Sequence, residues 1–518
     1  MLYHVTVSNF NYIGGLMNKK IANNIIFGIL GQVITVLLGL LIPRLIIINY
    51  GSEMNGLLSS VIQIYACLAL LEAGVGTATL QALYKPLASN DKKEINAILS
   101  ATSNYYNKIG KLYLIIVVLF SIIYPILFAK NIDFIQAFLI ILFTGLSSVI
   151  NFFFHGKYVL LLRSDGKSYI LSALNTTINI LSSITKVILI SNNYSVVEVQ
   201  ISFFIINLLQ LIYITYIIKK DYSWIDLKEK PNYKAISQKN SVLVHEITAI
   251  IFNNTDMVLI TVFLGLEAVS IYAVYNYFFR AVYQMIMVFS SSTDFALGRI
   301  FNIDKKKFIE FYEVVENYIL MISFLAYTIL FVFIMPLIKI YTKDFTDVNY
   351  INYNLPLYFI TMELLTLIRK PPNTVISSAG HFKETRMKSV IESTINIVLS
   401  IILINVMGIE GVLVGTIVAL FYRTNDIIIY ANTKIMDRNP LKTYYRIFIN
   451  ITVMIVLSLI GFKYTASINN LETLIIKVFV YGIITSLIYL TVNTITNPNE
   501  FRYIKTIFSK FIKEKIIK

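Results

Sequence analysis

Fourteen apolar stretches fill this chain, and its basic residues fall almost entirely in alternate gaps between them. Of the 44 Lys and Arg, all but nine lie in or at the borders of the first tail, the even-numbered gaps and the C-terminal tail. The exceptions are Lys130, Lys339, Lys343, Lys463 and Lys477 in or beside the opposite gaps, and Arg44, Lys186, Arg280 and Arg423 deeper inside the stretches. Lys and Arg stay on the cytoplasmic side because they are hard to move across a membrane. The alternation therefore predicts a polytopic membrane protein with an even number of spans and both termini cytoplasmic.

Composition agrees. Hydrophobic residues make up 57% of the chain and charged residues only 14%, well under the roughly 25% of soluble domains. The mean hydropathy is +0.70. A bilayer core needs roughly 20 apolar residues per helix. The spans expected are 23–49, 54–83, 112–129, 134–154, 169–190, 199–218, 241–264, 267–290, 317–338, 353–369, 387–407, 411–432, 447–464 and 473–493. The net charge of +15 is scattered through loops between spans, which suits anionic lipid rather than nucleic acid. The single cysteine, Cys67, excludes an intrachain disulfide. His4, His155, His245 and His381 have no zinc-site spacing, so no metal and no cofactor is expected. Met17-Asn18-Lys19-Lys20 reads as a natural start, which makes residues 1–16 an expected extension.

The chain repeats itself at nearly one offset. Residues 172–184 (SALNTTINILSSI) and 389–401 (SVIESTINIVLSI) share seven of thirteen positions at an offset of 217. Gly51-Ser52-Glu53 and Gly265-Leu266-Glu267 form similar short turns 214 residues apart. Together they predict two parallel units of six helices around an axis along the membrane normal, an arrangement that places a site between halves. The organisation expected is a cytoplasmic segment 1–22, a first lobe 23–218 and a linker 219–240. A second lobe 241–432, two further spans within 433–493 and a basic tail 494–518 complete it. Asp91–Tyr106 and Asp304–Val315 read as short amphipathic helices on the cytoplasmic surface.

No connection on the outer side is long, and no Walker A, Rossmann, Gly-x-Ser-x-Gly or His-Glu-x-x-His motif occurs. Enzyme chemistry is therefore not expected. Charged groups within spans are costly and face a cavity or a partner. In span seven Glu246, Asn253 and Asp256 share a helical face. Arg280 in span eight is within reach of Asp256, so a plain ion pair competes with a binding role. Tyr272, Tyr275, Phe279 and Tyr283 form an aromatic stripe on that helix, read either as packing or as stacking for sugar rings. Arg44 lies just after Pro43, and Glu72 precedes a run of small residues at Ala73-Gly74-Val75-Gly76. Lys186, Glu363, Glu392 and Arg423 complete the buried set, with Asp426 placed to neutralise Arg423. Deep cations and deep acids balance, which predicts a mixed cavity that pairs its own charges when empty.

These residues bring a family into view. Ile21-Ala22-Asn23-Asn24, Tyr50-Gly51-Ser52-Glu53-Met54-Asn55-Gly56, Leu71-Glu72-Ala73-Gly74-Val75-Gly76 and Leu83-Tyr84-Lys85-Pro86-Leu87 carry the resemblance, with Asn253–Asp256, Gly265 and Ile271-Tyr272 in the second half. The chain resembles the polysaccharide flippases of the multidrug/oligosaccharidyl-lipid/polysaccharide exporter superfamily. The resemblance implies an all-α membrane fold whose central cavity is lined by spans one, two, seven and eight. It also implies that Arg44, Glu72, Asp256 and Arg280 face that cavity; with Asn253 and Tyr275 from the polar and aromatic stripes they form the expected substrate-binding set, and Glu72 or Asp256 is placed for coupling to Na⁺ or H⁺. The implied substrate is a polyprenyl-pyrophosphate-linked oligosaccharide moved to the outer leaflet of a bacterial cell membrane for surface polysaccharide, with glycan-assembly enzymes as partners. Three alternatives stay open at this point: a cation-coupled drug or metabolite antiporter on the same scaffold, a membrane enzyme of glycan assembly, and a scaffold that moves nothing.

Overall fold

Where the sequence is apolar for a membrane's width, the chain is helical. The computed structural model describes residues 36–68, 74–150, 152–153, 156–237, 240–301 and 304–506, and no strand occurs among them. The first segment, the start of span one, residues 69–73 with Glu72, His155 and the end of the tail lie outside the described residues.

The helices are α1 (Val36–Tyr50), α2 (Ser52–Cys67), α3 (Val75–Ala88), α4 (Lys92–Phe128), α5 (Phe134–Ile150), α6 (Gly156–Ser164), α7 (Ser168–Ser191) and α8 (Val196–Asp221). They continue as α9 (Asn240–Leu264), α10 (Leu266–Phe301), α11 (Lys305–Tyr341), α12 (Leu355–Ile368), α13 (Lys370–Ser378), α14 (Phe382–Met407), α15 (Ile409–Tyr430), α16 (Leu441–Thr465) and α17 (Leu471–Thr496). Over the described residues each expected span except the second coincides with one helix. Among the described residues nine helices are long and apolar enough to cross a membrane, and α1 and α5 are shorter apolar helices. Outward faces of α16 and α17 expose Phe448, Leu459, Ile460, Phe479 and Leu487. Only lipid solvates such a surface without cost.

Two expectations need correction. Span two is not one helix: Gly74, at φ +84°, opens α3 as a separate element. Nor do Asp91–Tyr106 and Asp304–Val315 form separate surface helices. Asp91 and Asp304 cap the starts of α4 and α11 by accepting from the backbone N–H of Glu94 and of Lys306 and Lys307, and each helix then runs on as 37 residues. Residues 95–103 are buried on every side, so that turn is packed inside protein and has no face for a membrane surface. Part of what covers it is the linker: Asn232 donates its backbone N–H to Ala97 O at 3.0 Å and its amide to Glu94 at 2.8 Å.

Gly51, Gly265 and Gly408 all have positive φ, a conformation glycine adopts without strain. They close three tight turns at one end of the bundle, called here the turn end. Close helix approach is also built from glycine. A Cβ on Gly411 would lie 2.3 Å from Leu403 O, and one on Gly415 2.4 Å from Ser400 Oγ. This small-xxx-small spacing lets α15 press against α14.

At the other end, α11 holds α16 through a buried charge network. Glu316, 1% exposed, accepts from Arg438 at 2.8 Å, Arg446 at 2.6 Å, Thr443 at 2.6 Å and Tyr312 at 2.8 Å. Arg446 also bonds Asn497 and Glu500, beyond α17. Removing one partner of such a set strands the others as unpaired buried charges. Glu316→Ala is expected to destabilise the chain by about 3–5 kcal/mol, read as a lower midpoint of thermal unfolding in detergent. Unchanged stability would show that the network is not structural.

Candidate functional site

A cavity of about 350 Å³ lies among α9, α10, α12 and α15, with Gln63 of α2 on its rim. It contains Asn253, Asp256 and Arg280, so three of the expected site residues come together. Tyr272 and Tyr283 of the aromatic stripe also line it.

The others do not join them. Arg44 lies apart at the turn end, where its guanidinium donates to Tyr341 O and pairs with Asp344 at 2.5 Å. The side chain follows Pro43 outward, where the 342–354 loop offers an acid, so it does not face this cavity. Tyr275 is fully buried; its hydroxyl donates to Tyr350 O at 2.9 Å and its ring stacks on Phe359. It packs the core and has no free face for a sugar. Glu72 lies outside the described residues.

The cavity's charges are arranged as acids shared between arginines. Arg280, 45% exposed, extends into the space with Nη1 4.0 Å from Glu363 Oε1, and its guanidinium lies over the Tyr283 ring at 4.8 Å. Glu363 is 2% exposed, and its Oε1 accepts no hydrogen bond. Arg280 thus turns to Glu363 instead of Asp256. Arg369 also lines the cavity, 2.5 Å from Glu392. Glu392 is shared in turn with Arg423 at 3.6 Å, and Arg423 pairs with Asp426 as the spacing predicted. Span identity explains what the sequence reading missed. Arg369 and Thr416 come from the end of α12 and from α15, not from spans one and two, and Glu363, already counted among the buried charges, joins them from α12. The Pro371-Pro372 break just after Arg369 is the one local signal for it.

Nearer the turn end the chemistry changes. Asp256, 7% exposed, accepts from Thr416 Oγ1 at 3.0 Å and Tyr272 OH at 3.1 Å. Asn396 donates to the same Thr416 hydroxyl at 2.7 Å, while its own Oδ1 is buried without a partner. A carboxylate beside a spare carbonyl and a hydroxyl is an oxygen set suited to a hard monovalent cation or a proton. Among the described residues no group of three His, Cys, Asp or Glu side chains could hold a metal ion.

Above the cavity the turn end is sealed. Asp347 accepts from Ser52 N–H at 2.5 Å and Ser52 Oγ at 2.8 Å, capping the start of α2. Tyr350 OH donates to Ser52 Oγ at 2.6 Å and lies 2.8 Å from Ser270 Oγ. Asn55 donates to that Ser270 hydroxyl at 2.8 Å. Deeper in, Ser59 approaches Tyr277 OH, and Gln63 donates to Asn253 O and Asn254 Oδ1. This line of contacts ties α2 to α9, α10 and the 342–354 loop. Asp347→Ala is expected to loosen it, raising labelling of a cysteine at Ser59 from the turn-end side by about tenfold; unchanged labelling would place the seal elsewhere.

Neither protein-family models nor curated protein sequences yield a match. Solved structures do, and the likeness is one of fold: this chain shares an all-helical membrane fold with flippases and transporters. One is the lipid II flippase MurJ in an inward closed conformation, with a TM-score of 0.62 and 18% identity over 90% of this chain and 98% of that one. Another is an inward-facing multidrug resistance MATE family transporter of the MOP superfamily, with a TM-score of 0.57 and 14% identity over 77% and 94%. A Vibrio cholerae MATE transporter follows at 0.54 and 13% identity over 81% and 98%. These neighbours are flippases and transporters, not enzymes.

Proposed function

We propose that this chain is a flippase for polyprenyl-pyrophosphate-linked oligosaccharide repeat units, carrying them from the inner to the outer leaflet of the cell membrane for surface polysaccharide assembly. The observation that carries this reading is the pair of cavity arginines, Arg280 and Arg369, each held by a glutamate that a stronger anion displaces. Arg recognises phosphate oxygens with two parallel donors, a geometry a lone acid does not saturate. When the pyrophosphate enters, Arg280 leaves Glu363, and Arg369 leaves Glu392, which keeps Arg423. Asn253, Asn276 and Gln63 supply amide groups for sugar hydroxyls, while the lipid tail stays in the bilayer.

On this reading the turn end, whose loops are poor in Lys and Arg, faces outside, and its seal is the outer gate. Two lobes, 23–218 and 241–432, rock about the cavity and break that seal to release the headgroup. An inside-negative potential favours outward movement of an anion by about 2.3 kcal/mol per charge per 100 mV. Asp256, with Thr416 and the spare oxygen of Asn396, is the station for Na⁺ or H⁺. Asp256→Asn is expected to leave headgroup binding unchanged and to lower ion-driven transport by about tenfold or more. Equal ion dependence in mutant and wild type would remove Asp256 from coupling.

The rival is a cation antiporter, which the Asp256 station also suits. Binding separates the two. Fluorescent polyprenyl pyrophosphate should bind the detergent-purified protein and be displaced by inorganic pyrophosphate but not by organic cations. Displacement by organic cations alone would favour the antiporter.

A further inference from the structure

One deep cation has no acid beside it. Lys186 lies on α7 five residues before the helix end at Ser191, about 7 Å below it. Its ammonium has no carboxylate within 4 Å among the described residues, and sits over the Phe203 ring at 4.3 Å. Arg44, Arg280, Arg369 and Arg423 each have an acid within 4.0 Å, whereas Lys186 has none among the described residues. An unpaired ammonium at this depth is costly, and such groups mark paths for charged ligands.

Lys186 lines a separate cavity of about 100 Å³ between α1, α2, α7 and α8, closed on the far side by Tyr277 of α10. That volume suits a few waters or one tetrahedral anion. Polar groups on its wall include Tyr50, Asn55, Ser59 and Tyr277. Three of these close the turn-end seal: Asn55 donates to Ser270, and Ser59 meets Tyr277. When the seal parts, Asn55 and Ser59 lose their partners on α10 while staying beside Lys186. One ammonium, a freed amide and a freed hydroxyl then surround a small space near the outer end.

We propose that Lys186, with Asn55 and Ser59, forms a second anion station that receives a phosphate group on the outer side, after it leaves Arg280 and Arg369. This rests on the flippase reading for its sequence of events. Its chemistry needs only a phosphate oxygen, whether from a lipid headgroup or from free pyrophosphate. A lysine suits release: it attracts phosphate as a point charge, without the two-pronged hold of arginine.

The test uses full-length protein in liposomes with two probes, a short-chain polyprenyl pyrophosphate and inorganic pyrophosphate. Lys186→Met is expected to bind the lipid probe from the inner side within about twofold of wild type, yet to slow its outer-leaflet appearance about tenfold. Lys186→Arg, which keeps the charge, should retain most of the rate. Inorganic pyrophosphate added outside should slow the wild type and leave Lys186→Met unaffected. Equal outer-leaflet rates for wild type and Lys186→Met overturn the station. If the wild type moves no polyprenyl pyrophosphate, the flippase reading fails instead. Thermal stabilisation by inorganic pyrophosphate then decides Lys186 alone: a smaller effect in Lys186→Met supports the anion site, and no difference between the two overturns it.

Discussion

Arg280→Ala is expected to lower affinity for polyprenyl pyrophosphate and its transport by at least about a hundredfold, the effect of deleting one side of a desolvated charge contact. The substitution also strands Glu363, which is 2% exposed and has Arg280 as its ion-pair partner, so a loss of function alone would be ambiguous. The double substitution Arg280→Gln with Glu363→Gln removes that ambiguity. It deletes both charges together, which costs far less than stranding one. The double variant should recover wild-type unfolding behaviour while staying inactive. Recovered transport in it would mean that Arg280 serves only to satisfy Glu363, and the anion-binding account would fall.

Gly56→Ala is expected to have the second largest effect, through shape rather than charge. A Cβ at Gly56 would lie 1.9 Å from the backbone oxygen of Leu266 and 2.6 Å from its carbonyl carbon. Neither is the end of a flexible side chain, so α2 and α10 must separate. The cost is about 1–3 kcal/mol, and it falls on the sealed state, where these helices touch. The variant should therefore favour the outer-open arrangement. In a Cys67→Ser background, a cysteine placed at Ser59 should react about tenfold faster with an impermeant thiol reagent added outside. Gly39→Ala is the control, because nothing lies within 4 Å of its Cβ position. Equal reactivity in both variants would show that this contact does not hold the seal.

Helix placement was legible from the chain because lipid imposes a length and a polarity on every span. The tight turns at Gly51 and Gly265 were legible for a similar reason: a two-helix connection that short needs a residue free to take positive φ. Partners were not legible. Arg44 finds Asp344, and Ser52 finds Asp347, across some three hundred residues of sequence. Nothing local signals these bonds, although the crowd of Asp and Asn in the 342–354 loop marks it as more than a spacer. Cavity membership failed in the same way. Asp256 and Arg280 were found because a charge in a span is expensive wherever it points. Tyr275 was placed among the binding residues because an aromatic stripe looks alike whether it packs on Phe359 or on a sugar. Arg369 fell at the edge of its span and read as a loop cation, and the Glu316 network joined α11 to α16 through residues that each looked interfacial.

Translocation in a defined membrane decides whether this chain is a flippase. The protein would be reconstituted in liposomes with fluorescent polyprenyl-pyrophosphate oligosaccharide in the leaflet corresponding to the cytoplasmic side. Appearance in the opposite leaflet would be followed with and without an imposed potential. The account predicts protein-dependent appearance, faster when the cytoplasmic side is negative and lost in the Arg280→Gln, Glu363→Gln variant. Appearance no faster than in protein-free liposomes, together with proton-coupled movement of organic cations, would contradict it.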